Sequence, residues 1–128
     1  MRDFAIAATV CLAATFPFAA PAHAFTAQNG LVVEPDANGF AVPWRGMAGP
    51  AYFWCAAGDY AIRALHMNPT EVVYRAPPPR RGSGEPVRFT LDPSQSAEKT
   101  GLFILGAQGG GITAGHAQSL CENRLFRK

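Results

Sequence analysis

Apolar and polar positions divide this chain into segments of different period. From Phe4 to Phe16 the residues are apolar, with Arg2 ahead of the run and Pro17, Pro21, Ala22 and Ala24 behind it. That order of charge, apolar stretch and small residues is the pattern of a secretory signal peptide cleaved after Ala24. A membrane-spanning helix needs about 20 apolar residues, and Pro17 interrupts the run too early for one. Further on, Leu31 to Val33 and Phe40 to Val42 flank the turn-rich EPDANG, which predicts a β-hairpin.

The segment PAYFWCAAGDYAIRALHM, Pro50 to Met67, changes to a helical period. Pro50 suits a first helical position, where a missing N–H costs nothing. At 100° per residue Phe53, Ala56, Ala57, Tyr60 and Ala64 share one side, while Trp54, Ile62 and Leu65 cover much of the opposite side. Asp59, Arg63 and His66 fall with Tyr52 in one narrow polar stripe. A helix apolar over so much of its circumference is covered on more than one side, so this segment is the expected core. Asn68-Pro69 should end it near Met67.

Strand-like segments follow. Thr70 to Ala76 is rich in β-branched and aromatic residues, and Val87 to Leu91 alternates Val, Phe and Leu against Arg and Thr. Gly101 to Ala107 reads as a further strand. The glycines at 109–111 read as flexible, with Thr113 capping a short helix from Ala114 to about Arg124. The expected fold is therefore α+β: an antiparallel sheet of about five strands packed on one central helix, with a short C-terminal helix. Residues 25–128 form one domain behind a leader of residues 1–24.

Charge adds little. Without Arg2 and Asp3 the domain holds 10 basic and 8 acidic residues, a net +2, scattered along the chain. That does not point to nucleic acid or to an anionic membrane. Cysteine count says more. Loss of the leader removes Cys11 and leaves Cys55 and Cys121 in an exported chain, where oxidation to a disulfide is expected. The competing role, a reactive thiol with His66 or His116 as base, needs partial exposure that an alanine-lined helix does not offer.

Other candidate chemistry is sparse. No H-x-x-x-H or C-x-x-C spacing supports a metal site, and no cofactor motif stands up. GGGITA at 109–114 matches a dinucleotide fingerprint in letters, yet the chain ends too soon for the βαβ unit the motif opens. No serine lies in a nucleophile elbow. Asp59 and Arg63 stand at i and i+4 in the order that favours a helix-surface ion pair, which is the expectation for them. The stripe of Tyr52, Asp59, Arg63 and His66 is the one place where titratable groups converge, and it is the candidate binding or catalytic site. Pro77, Pro78, Pro79, Arg80 and Arg81 form a stiff basic loop that is a candidate partner contact.

FWCAAGDYAIRAL, Phe53 to Leu65, and ITAGHAQSLC, Ile112 to Cys121, together resemble a group of small exported alphaproteobacterial proteins. Those carry a W-C-x-A-x-D-Y-A-like helix and an A-x-x-L-C-like end. The resemblance implies a periplasmic or secreted location and an architecture, and no catalytic residues. The expected function is non-enzymatic: a structural, accessory or inhibitor-like protein with a protein partner in the cell envelope. The alternative is a small-ligand-binding or hydrolytic domain that uses the polar stripe. The oligomeric state is left open.

Overall fold

The fold is taken from a computed structural model, which describes residues 24–44, 49–77, 84–102 and 107–122, together with 10, 11 and 13. In chain order the elements are β1 (Phe25–Thr26), β2 (Val32–Asp36), β3 (Gly39–Val42), α1 (Pro50–Arg63), β4 (Val72–Arg75), β5 (Val87–Thr90), β6 (Gly111–Thr113) and α2 (Ala114–Ser119). A 3-10 turn, Pro93–Gln95, follows β5, and another, Leu120–Glu122, follows α2. The strands form one antiparallel sheet in the order β1-β2-β3-β5-β4-β6. The fold is the expected α+β arrangement, with a central helix and a short C-terminal helix joined to it by the Cys55–Cys121 disulfide.

Strand pleating fixes what the sheet buries. Val33, Phe40, Val42, Val73, Val87, Phe89 and Ile112 point to one side and are buried, as alternation along each strand requires. Against them α1 lays Phe53, Trp54, Ala56, Ala57 and Tyr60. The aromatic rings form a connected row: Trp54 meets Phe89 edge-on, Phe89 stacks on Phe40, Phe40 meets Tyr60, and Tyr60 meets Phe25, with centroids 4.7–5.6 Å apart. Such contacts add about 0.5–1.5 kcal/mol per pair beyond burial. The Trp54 indole N–H donates to the Thr100 carbonyl at 2.9 Å and so fixes the loop after β5 over the helix.

All residues from Phe53 to Ala61 are buried, because α1 has the sheet on one side and α2 on another. Gly58 makes the second contact close. A Cβ there would collide with the backbone of Ala117 and Gln118 and stand 2.7 Å from the Ala117 Cβ.

Several boundaries differ from the sequence reading. Among the described residues the sheet has six strands, where the sequence led to about five. β1 has only two residues and no alternation to reveal it. Gly111, read as part of a flexible tail, opens β6 instead by pairing with Tyr74 of β4, where the Val72 and Tyr74 side chains occupy the space a side chain of its own would take. α1 stops at Arg63 rather than Met67: the Ala64 and Leu65 amides both donate to Tyr60 O and the Met67 amide donates to Ala61 O. His66 reverses the chain there with φ 55°, in the left-handed region. β5 ends at Thr90, so Leu91, read as buried, is exposed; the Asp92 amide donates to the Thr90 hydroxyl and turns the chain. Gly101 and Leu102 lie in a bend, and 103–106, the middle of the expected third strand, lie outside the described residues. The C-terminal helix does begin at Ala114, where the Thr113 hydroxyl accepts from the His116 amide; residues beyond Glu122 are not among those described.

Candidate functional site

Asp59 is the focus of the polar stripe, and its side chain is fully buried. The short turn after β1 brings the first partner. Ala27 and Leu31 close that turn by the Ala27 N–H to Leu31 O bond, Gly30 sits in it at φ 83°, and the Asn29 amide group donates to Tyr52 O on α1. The turn so placed points Gln28 at the helix. Its backbone N–H donates to Asp59 Oδ2 at 3.0 Å and its side-chain Nε2 to Oδ1 at 2.8 Å. Arg63, one turn along α1, donates through Nη1 to Oδ2 at 2.8 Å. From α2 the Gln118 Nε2 donates to Oδ1 at 3.2 Å.

A carboxylate offers about four lone-pair sites, and four donors fill them here. Burial pushes the Asp59 carboxyl up, but the bonds from Gln28, Gln118 and Arg63 outweigh it and hold the group below the ordinary carboxylate range. A general acid needs the opposite shift, toward neutrality, and a path to the substrate. This group is an ionised, enclosed acceptor that ties the N-terminal turn, α1 and α2 together. Arg63 in turn lies over the Phe25 ring, 5.2 Å from its centroid, so the guanidinium reaches both the carboxylate and β1.

The structure thus brings Asp59 and Arg63 together and treats the other members of the stripe differently. Tyr52 is half-buried and meets the N-terminal turn through its backbone carbonyl. His66 lies past the end of α1, exposed, and takes no part in the hydrogen bonds around the carboxylate. Pro77 is exposed at the end of the segment after β4, whereas Pro78, Pro79, Arg80 and Arg81 lie outside the described residues. Cys55 and Cys121 form the disulfide, with Cys55 fully buried. Sequence reading missed Gln28 and Gln118, which stand 31 positions before and 59 positions after Asp59 and carry no local signal.

Among the described residues no three of His, Cys, Asp and Glu stand together as a metal ion would require. No helix among them is long and apolar enough to cross a membrane. No protein family, curated protein or solved structure matches this chain.

Proposed function

We propose that this is an exported, non-enzymatic protein that acts by contact with a protein partner in the cell envelope, as an accessory or inhibitor-like subunit. The observation that supports this reading is the use to which Asp59 is put. Among the described residues, the acid at the centre of the stripe is spent on joining three segments, with both carboxylate oxygens occupied by Gln28, Arg63 and Gln118. The hydrolytic use of the stripe is left without an accessible acid.

Export fits the covalent structure. A disulfide between distant segments is characteristic of oxidising compartments, and Phe25, the first residue after the proposed cleavage point, opens β1. For partner contact the sheet offers the side away from α1. There the pleat places Val32, Ala41, Val72 and Tyr74, all half-buried, beside the exposed Glu34 and Arg88. A mixture of aromatic, aliphatic and charged side chains is what the patches of protein partners carry.

The test is capture in the envelope of the native host. The mature chain, with a photo-crosslinking residue at Ala41 or Tyr74, should give a discrete adduct of one partner. A chain that stays monomeric, forms no adduct and brings down no partner would overturn the proposal.

A further inference from the structure

We infer that Asn38 is a site of spontaneous covalent modification in the folded protein, converting to aspartate and isoaspartate, and that the fold protects Asn29 from the same reaction. Asparagine is among the chemically labile residues, and a glycine after it favours the change because no side chain hinders the approach of the glycine nitrogen. The chain holds two such pairs, Asn29-Gly30 and Asn38-Gly39.

The chemistry makes the same demand at both. The glycine nitrogen gives up its proton to hydroxide and attacks the asparagine Cγ. A new C–N bond forms, the Cγ–Nδ2 bond breaks, and the side-chain nitrogen leaves as ammonia. The product is a cyclic succinimide. Water then adds to one of its two carbonyl carbons and opens the ring, giving either aspartate or isoaspartate, whose main chain runs through the former side-chain carbon. One water is consumed and one ammonia released, with no oxidant, reductant or cofactor. Two groups must be free to move: the asparagine side chain, and the amide nitrogen of the glycine.

At Asn29 neither is free. Its Nδ2 donates to Tyr52 O at 2.8 Å, its Oδ1 accepts from the Leu31 amide at 3.2 Å, and the Gly30 amide donates to Ala27 O at 2.9 Å. The turn that carries them is seated on α1 by the two bonds from Gln28 to Asp59. Reaction at Asn29 therefore waits for the turn to lift off the helix.

Asn38 stands in a different setting. With Ala37 it forms the two-residue link between β2 and β3, and both residues are exposed. Among the described residues, no hydrogen bond restrains the Asn38 side chain. Gly39 pairs with Asp36 as the last rung of the β2–β3 ladder, and a rung beside a loop tip opens without any disturbance of the core. The change would add a carboxylate to the groove that Asn38 shares with Asp36, Arg88 and Gln95, next to the Asp36–Arg88 ion pair. Isoaspartate would also lengthen the main chain of the turn by one carbon.

The test compares the two sites in one sample. The oxidised chain beginning at Phe25 is held in neutral buffer, and peptide mapping by mass spectrometry, with chromatographic separation of aspartyl from isoaspartyl peptides, follows positions 29 and 38 over time. The same chain, reduced and unfolded in guanidinium chloride, gives the rate of each site without the fold. In the folded chain Asn38 should convert at least about tenfold faster than Asn29, since reaction at Asn29 alone must break three hydrogen bonds. In denaturant the two rates should converge. The rate at Asn38 should rise with pH, because the attacking nitrogen is deprotonated. A smaller ratio in the folded chain, the same ratio in denaturant, or conversion of Asn38 only after unfolding would overturn the inference. Every arm uses the unaltered sequence and no partner protein, so the result is independent of the partner reading.

Discussion

Replacing Asp59 by asparagine tests the central claim about the helix. The shape is kept, but one carboxylate oxygen becomes an NH₂ group. Whichever way the amide turns, that NH₂ faces two donors: Gln28 N and Arg63 Nη1 on one side, or the Gln28 and Gln118 side-chain amides on the other. Two charge-assisted hydrogen bonds are lost, each worth about 1.5–3 kcal/mol. Gln28 and Arg63 are exposed and recover part of that from water, so the expected cost is about 2–4 kcal/mol. For a domain of this size that lowers Tm by roughly 10–20 °C. Urea unfolding followed by tryptophan fluorescence, with the disulfide intact, gives the value. The pH dependence has a definite sign. Because the folded pKa of Asp59 lies below that of an unfolded aspartate, about 3.9, its contribution is complete above that pH. It is lost as the pH falls through the folded value. The stability gap between wild type and Asp59→Asn should therefore stay constant from about pH 7 to 5 and narrow below about pH 4. A gap under about 0.5 kcal/mol at pH 7, the ordinary effect of a surface change, would refute the account, as would a gap that does not narrow in acid.

Two further outcomes follow from the same helix. Gly58→Ala gains up to about 1 kcal/mol of helix propensity, yet its Cβ would run into Ala117 and Gln118; the net effect on thermal melting should be a loss of about 1–3 kcal/mol. The Cys55–Cys121 bond closes a separation of 66 residues, so the double Cys→Ser variant should lose up to about 4 kcal/mol on the chain-entropy account. Intact mass should show the oxidised chain about 2 Da lighter than the reduced one, and free thiols titrating in the native mature protein would contradict the pairing.

How far the sequence was legible depended on how local each signal was. The helix from Pro50 was plain, because its period and its proline are contained in one stretch, and so was the Thr113 cap. The disulfide followed from the cysteine count and the expected compartment without any geometry. The strands β1 and β6 were not legible: two and three residues are too few to alternate, and Gly111 enters β6 by pairing with the distant Tyr74 of β4, where the Val72 and Tyr74 side chains leave no room for a Cβ. The stripe on α1 was seen as a set of positions, but its meaning depended on distant residues. Gln28 stands 31 positions before Asp59 and Gln118 stands 59 after it. No pattern within the helix distinguishes a carboxylate exposed for chemistry from one enclosed by donors brought from both ends of the chain.

That enclosure explains why a charge is kept in a helix otherwise so apolar. Against α1, the neighbours of Gly58 on α2 are small, and Ala114 and Ala117 are fully buried. Contacts between small side chains hold two helices close but distinguish poorly between one axial position and the next. Positions 55, 58 and 59 share a face of α1 at the i, i+3, i+4 spacing, and each meets the C-terminal segment: Cys55 by the disulfide, Gly58 by close approach, Asp59 by Gln118. The first and last of these are directional. A disulfide between residues 55 and 121 fixes the turn that follows α2, and the carboxylate holds the last turn of α2 through Gln118 while also seating the N-terminal turn through Gln28. An apolar side chain at position 59 could fill the same space, but it would leave the Gln28 and Gln118 amides without their acceptor and the turn with fewer bonds to α1. The buried acid therefore sets the register of three segments, a role that apolar packing around Gly58 cannot fill.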